Sequence, residues 1–434
     1  MRAQHIGRRR RGRWLWAAAA AGLATPLAVA ATPAAATQPE EVTLRFAWWG
    51  GEGRHAYTQE IIDLYEADNP HVSIEPEFID WSDYWNRLAT TVAGGDTPDV
   101  MQMDLRYIAE YANRGVLADL GPHLGAEIDD SSFDTPLLAS GQIGGTQYAL
   151  PTGVNALAVV ADPMAFEQAG VEMPDDTSWT WDDFVEIGAQ ITEGTGGDVW
   201  GAQDKGYNES NLEIFLRQRG EVLFTEDGEL GFAPESMAEW WQVTLDQLES
   251  EAIPPASQTV EVENAGIDQS LLATNTGAMG FWWSNQLGAL ADASGRDLEL
   301  LRFPGGSEGM YLKASMLWSM SADTEHPEAA AEFISFLLSD ERAGELMLVD
   351  RGVPLDVDIR ESIADALDPA NAKAAEFVEI VGAEAEPPPG VPPQGAGEVQ
   401  QILWRLNEQV LFEQMSIEDA VAAFIDEATA AIGG

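Results

Sequence analysis

Three short apolar strands, each followed by a helical stretch, fill the region from Val42 to Arg114. This rhythm constrains the fold more than any other feature of the chain. Val42-Thr-Leu-Arg-Phe46 alternates apolar and polar residues, the period of a half-buried strand. A helix is expected over 56–67, with Tyr57, Ile61 and Leu64 on one face and Asn69-Pro70 as its stop. A strand over 72–78 follows, then a helix from a Ser82 cap to Val92, closed by Gly94-Gly95. Asp99–Met103 reads as a third strand and Tyr107–Arg114 as a third helix, ended by Gly115. Alternation at this spacing predicts α/β architecture, a parallel sheet wound with helices.

The pattern then breaks at "GTQYALP" (145–151), and Ala156–Ala161 opens a new apolar strand, so a first crossing between two lobes is expected near Gly153–Asn155. Beyond it, Thr180 is placed to cap a helix over 181–192, and 235–251 is helical with Trp240 and Trp241 in its core face. "TGAMGFWWSNQL" (276–287) reads as strand, loop and helix start. Pro327 suits the first turn of a helix that would run from Glu328 to Leu338 and on toward Leu348. The proline-rich stretch 386–395 is a loop, and two amphipathic helices over 399–411 and 417–432 end the pattern.

Polar and aromatic groups gather where the first three strands end. Trp48, Trp49, Glu52 and Arg54 follow the first, Asp80, Trp81 and Tyr84 the second, Asp104 and Arg106 the third. In an open α/β sheet, ligands bind beyond the carboxyl ends of the strands. A further set, Phe281-Trp282-Trp283-Ser284-Asn285, ends a strand in the second half of the chain. Indole faces pack on the C–H face of a pyranose, while carboxylates, amides and arginine hydrogen-bond its hydroxyls. The expectation is that Trp48 and Trp49 form a stacking platform and that Gly50-Gly51 lets the backbone approach a ligand. Against it stands plain core packing, the ordinary use of tryptophan.

Residues 40–434 resemble the extracellular sugar-binding proteins of ABC transporters, relatives of maltose-binding protein. The resemblance rests on "LRFAWWG", "NRLATTVAGGDTPDVMQMD", "YANRGVLADL", "GGTQYALPTGVNALAVVAD", "GAMGFWWSNQ", "HPEAAAEFISFLLSDE" and "RGVPL". Two departures stand out: Asp162 occupies a position where that family often has asparagine, and no cysteine is present to accept a lipid. The resemblance implies a two-lobe periplasmic-binding-protein type II fold with a hinge and an interlobe cleft. It places one lobe over 40–153 and 319–352, the other over 156–316 and 354–434. It implies capture of a mono- or oligosaccharide and delivery to ABC transporter permease subunits at the outer face of the cytoplasmic membrane. Trp48, Trp49, Asp80, Trp81 and Asp104 would line the cleft from the first lobe, Asn155 would sit at the crossover, and Trp282, Trp283, Tyr311 and Lys313 would face them. Lys313 draws notice because the chain has only three lysines, with Lys205 and Lys373. A polyol or glycerol phosphate on the same fold is one alternative. A secreted carbohydrate-active enzyme with two acids across the cleft is another.

Arg8–Arg11 and Arg13, an apolar run to about Ala31, and Ala34-Ala35-Ala36 read together as an export signal over 1–36, which points to an exported, extracellular or periplasmic protein. No metal or cofactor is expected, since the histidines lack ligand spacing and no phosphate-binding or nucleophile motif occurs. A monomer is expected. Setting aside the six arginines of 1–36 leaves 16 basic residues against 73 acidic ones, a net of −57. Such a surface repels phosphate backbones and excludes nucleic acid as a partner. It also suggests a halophilic protein, in which concentrated salt screens the self-repulsion. Thermal unfolding should therefore shift upward between dilute buffer and molar salt; a melting temperature that stays put would refute the idea.

Overall fold

The computed structural model describes residues 41–225 and 227–433. The expected export signal lies outside them. Strand β1 (Val42–Trp49) pairs in parallel with β2 (Val72–Ile79) along its full length and with β3 (Val100–Met103). Helices α1 (Glu52–Asp68), α2 (Trp81–Ala93) and α3 (Leu105–Asn113) follow the three strands in turn, as the alternation predicts. All three helices begin earlier than expected, α2 with Asp80 and not Ser82 at its N-cap. For α3 the reason is Asp104, whose carboxylate accepts from the Arg106 amide at 2.9 Å and caps the helix ahead of its apolar stripe.

The second half of the chain begins at β4 (Leu150–Pro151) and β5 (Gly153–Ala161). All nine residues of β5 are buried. It is the trunk of a second sheet, paired antiparallel with β6 (Met279–Trp283), β7 (Glu299–Leu301), β8 (Leu312–Ala314) and, farther on, β10 (Val353–Pro354). Between them, β9 (Leu317–Met320) returns to the first sheet, running antiparallel to β3 and bonding β4, to give the order β2-β1-β3-β9-β4. The chain thus passes between the sheets three times. The helix starting at Pro327 ends at Ser339 and does not run on to Leu348. Asp340 breaks it and caps a separate helix, Glu341–Met347, by accepting from the Arg342 amide at 2.9 Å.

One face of the first sheet packs Phe46, Trp48 and Trp318 against Phe333 of the Pro327–Ser339 helix, with Phe46 and Phe333 rings 5.1 Å apart. The other face packs Trp49, Met101 and Met103 against Tyr84 and Ile108 of α2 and α3. In the second half, Trp240 and Trp241 are fully buried, as their helical spacing predicts. Thr180 and Asp183 form a capping box over the Trp181–Gly194 helix. No helix of the described residues is long and apolar enough to cross a membrane.

The three crossings are fastened to one another. The Thr152 amide donates to Met316 O at 2.9 Å, the Ser315 amide to Gly153 O at 2.9 Å, and the Thr152 hydroxyl to Arg351 O at 2.8 Å. A Cβ at Gly153 would lie 2.4 Å from Val353 O, so only glycine lets the strands pass this closely.

Lys205 is 1% exposed inside the second half, its ammonium donating to Trp240 O at 3.0 Å and to the Thr244 hydroxyl at 2.9 Å, 3.9 Å from the Trp240 ring centroid. Burial lowers its pKa to about 7, against the opposing pull of Asp204 and Asp246. Between pH 7 and the ordinary lysine value, the unfolded chain holds the extra proton, so this group's penalty fades as pH rises. The stability of the native chain relative to Lys205→Met should therefore increase from pH 7 to 10 in parallel denaturation curves; a gap independent of pH would refute the shift.

Candidate functional site

The carboxyl ends of β1, β2 and β3 deliver their residues to the seam between the two sheets. Asp104, 7% exposed, faces Lys313 of β8, with Oδ2 and Nζ 3.8 Å apart. Arg106 on the first turn of α3 reaches Glu209, at the start of the Glu209–Arg217 helix, with Nε 2.9 Å from Oε1 and Nη2 on the same oxygen. Both pairs join one half of the molecule to the other. Burial would raise the Asp104 pKa, but the Lys313 and Arg106 cations and the Arg106 amide outweigh it, and the carboxyl sits below its usual range.

A hydrogen-bonded chain lies alongside. Asn155 Nδ2 donates to Asn285 Oδ1 at 2.8 Å, and Asn285 Nδ2 donates to Asp350 O at 2.6 Å. Arg54 donates through Nε to Asp350 Oδ2 at 2.8 Å, and the Tyr57 hydroxyl donates to the same oxygen at 2.5 Å. Burial opposes ionisation of Asp350, yet Arg54 holds its pKa below the ordinary value. Gly50 leaves room for Arg54 in this arrangement: a Cβ there would stand 2.4 Å from Arg54 Cδ.

Neither tryptophan pair forms a platform. Consecutive strand residues point to opposite faces of a sheet, so each pair is divided. Trp48 is wholly buried against Phe46 and donates through Nε1 to His55 Nδ1 at 3.1 Å. Trp49 turns to the other face, 6% exposed, edge-on to Trp81 and Tyr84 at 5.0 and 5.1 Å. The aromatic surface that Trp49 supports is Trp81, 39% exposed, with the Arg106 guanidinium 5.8 Å from its ring. Trp282 and Trp283 part in the same way. Trp283 pairs with Leu157 and shares a sheet face with Asn155 and Lys313, whose ammonium lies 5.1 Å from its ring centroid. Trp282 pairs with Ala158 and packs on the opposite face with Val160 and Leu272.

Among the other expected residues, Glu52 and Asp80 are exposed at the starts of α1 and α2, and Tyr311 is 4% exposed with the Arg217 guanidinium 5.2 Å from its ring. Asp162 at the departure position is buried, caps the Pro163–Ala169 helix and pairs with Arg296. Glu209 and Asp350 escape sequence reasoning, because a chain with 73 acids offers no local mark by which to choose these two. A depression of about 440 Å³ lies away from the seam, lined by Ser257, Glu261, Val262, Leu271 and Thr276 among others, and none of the expected residues borders it. Among the described residues no group of three or more histidines and acids could hold a metal ion.

Residues 50–343 match the profile of the bacterial extracellular solute-binding proteins. The chain belongs to that family. An uncharacterised lipoprotein of Streptomyces antibioticus is 27% identical over 72% of this chain and 70% of its own length. An arabinooligosaccharide-binding protein of Halalkalibacterium halodurans is 26% identical over 60% and 58%. With putative binding proteins of Brucella, the matched stretch covers only 43% of the relatives' length. Among solved structures, a family 1 extracellular solute-binding protein from Alicyclobacillus acidocaldarius has a TM-score of 0.66 at 27% identity, covering 92% of this chain and all of that one. A periplasmic oligogalacturonide-binding protein from Yersinia enterocolitica has a TM-score of 0.81 at 20% identity, covering 91% and 99%, and it shares the fold. The two-sheet architecture of this solute-binding protein is therefore the two-lobe periplasmic-binding fold.

The divided tryptophans lead to a direct check. Trp48→Ala should cost about 3–5 kcal/mol of unfolding free energy, the usual range for a buried aromatic. A loss below 1 kcal/mol would place Trp48 outside the core.

Proposed function

We propose that the chain captures a mono- or oligosaccharide between its lobes and hands it to the permease of an ABC transporter, acting as an exported monomer. The lobes are 40–153 with 319–352 and 156–316 with 354–434, hinged at the fastened crossings. The observation that carries the reading is the meeting, at one seam, of Trp81, Asp104 and Arg106 from one sheet with Trp283, Lys313 and Glu209 from the other half. An exposed indole beside charge-assisted hydrogen-bonding groups suits a pyranose, which is apolar on its faces and hydroxylated at its edge. Relatives named for arabinooligosaccharide and lactose binding support the same reading. A ligand that touches both halves favours the closed arrangement by the contacts it makes only there.

Hydrolysis fits the seam poorly. A glycosidase needs a carboxylic acid that keeps its proton near neutral pH. Asp104 is pushed the other way, and Glu209 is committed to the Arg106 guanidinium. Oligosaccharides incubated with the protein should be recovered intact; cleavage products would reverse this conclusion.

Binding should raise the melting temperature in a carbohydrate screen, since a ligand bound only to the native state stabilises it. For whichever sugar gives the largest shift, Trp283→Ala should weaken affinity at least tenfold, about 1.4 kcal/mol, by calorimetry. Equal affinities would remove Trp283 from the site.

A further inference from the structure

We infer that the seam is built for an uncharged oligosaccharide that arrives as a hydrogen-bond donor, and that Glu209 is the residue that rejects acidic sugars. This rests on the sugar-capture reading and specifies the class of sugar.

The argument begins with charge. Asp104, Arg106, Glu209 and Lys313 are two anions and two cations, paired across the seam with side-chain exposures of 11–15%. Their formal charges cancel. A ligand carboxylate would lose its hydration in a region of low exposure and meet cations that already have carboxylate partners, so its desolvation would go uncompensated. A ligand ammonium would meet the same balance from the other side.

Unmet hydrogen-bonding capacity gives the second step. Asn155 is 4% exposed, and while its Nδ2 donates to Asn285, its Oδ1 is buried with no partner among the described residues. Glu209 accepts from Arg106 at Oε1, while its Oε2 is likewise buried and unpartnered. Two buried acceptors, one on Asn155 and one on Glu209, therefore await donors. On the donor side is the Lys313 ammonium, with Asp104 Oδ2 3.8 Å away. Leaving a buried acceptor unmet costs about 1–3 kcal/mol, so a ligand that satisfies these atoms binds preferentially. Hydroxyl groups donate and accept at once, whereas a carboxylate only accepts. A neutral sugar supplies protons to Asn155 Oδ1 and Glu209 Oε2 and still accepts from Lys313. A uronate places more acceptors against acceptors.

Glu209 decides the preference because its carboxylate is held: Arg106 binds one oxygen, and the backbone amide, anchored on Gln400 Oε1 at 2.9 Å, fixes the start of its helix. The second oxygen is thereby left for a ligand donor.

The test is a thermal-shift and calorimetric panel on the full chain. Lactose, maltotriose and arabinotriose would be set against digalacturonate and the deacetylated glucosamine dimer. The expected result is a shift with at least one neutral sugar and at least tenfold weaker binding of both charged ligands. Digalacturonate or the glucosamine dimer binding as tightly as the best neutral sugar would overturn the inference and leave sugar capture intact. A panel without any shift would overturn both. In Glu209→Gln, whose amide can donate, affinity for the best neutral sugar should fall at least tenfold and the discrimination against digalacturonate should narrow at least tenfold. Unchanged discrimination would remove Glu209 from this role. If that variant does not fold, the wild-type panel still decides the sugar class, and Asn155→Leu, expected to lose at least tenfold on neutral sugars, takes over as the site variant.

Discussion

The knot at the three crossings is the constraint on which the rest of the structure depends. Thr152, Gly153, Ser315 and Arg351 hold three separate pieces of chain in one narrow place, joined through backbone groups that would otherwise be buried and unmet. Arg351 braces the knot from within. Its guanidinium lies 5.2 Å from the Tyr57 ring and 5.1 Å from the Trp318 ring, and it donates to the Tyr57 hydroxyl at 2.8 Å. Burial lowers its pKa to about 10, with Arg54 adding to the fall, while Tyr57 and Asp350 oppose it. Because the knot includes residues that flank β4, β5, β8, β9 and β10, it fixes where the two sheets start and therefore which strand ends face each other.

Given that placement, the seam is decided by alternation along the strands. Side chains on a strand point to opposite faces in turn, so a pair of adjacent tryptophans at a strand end cannot serve one groove. The sheet spends Trp48 on the core and Trp49 on propping Trp81. It likewise sends Trp282 behind the sheet and leaves Trp283 beside Lys313. The tryptophan with the most open surface is a helix residue, Trp81, at the first position of α2.

Electrostatics give the seam a character unlike the rest of the chain. Outside residues 1–36 only 16 basic residues face 73 acids, yet Arg106 and Lys313 both stand where the halves meet. Each lies against a carboxylate of the other half, Glu209 and Asp104, so these two contacts carry no net formal charge.

The three strand–helix repeats, the separate second half, the helix caps at Thr180 and Pro327 and the burial of Trp240 and Trp241 were all legible in the sequence. Periodicity and capping are local properties, written within a few residues of where they act. The rim residues Trp81, Asp104 and Arg106 were legible too, because strand ends mark themselves. Beyond reach were the roles of Glu209, Asn285 and Asp350 and the return of β9 to the first sheet. These rest on contacts between segments 100 to nearly 300 residues apart, such as Arg106 with Glu209 and Arg54 with Asp350. The chain by itself determined which elements form and what chemistry their ends carry. Only the tertiary structure decided which of those ends meet, because pairing of distant charges depends on how the crossings orient two sheets and not on any neighbour in the sequence.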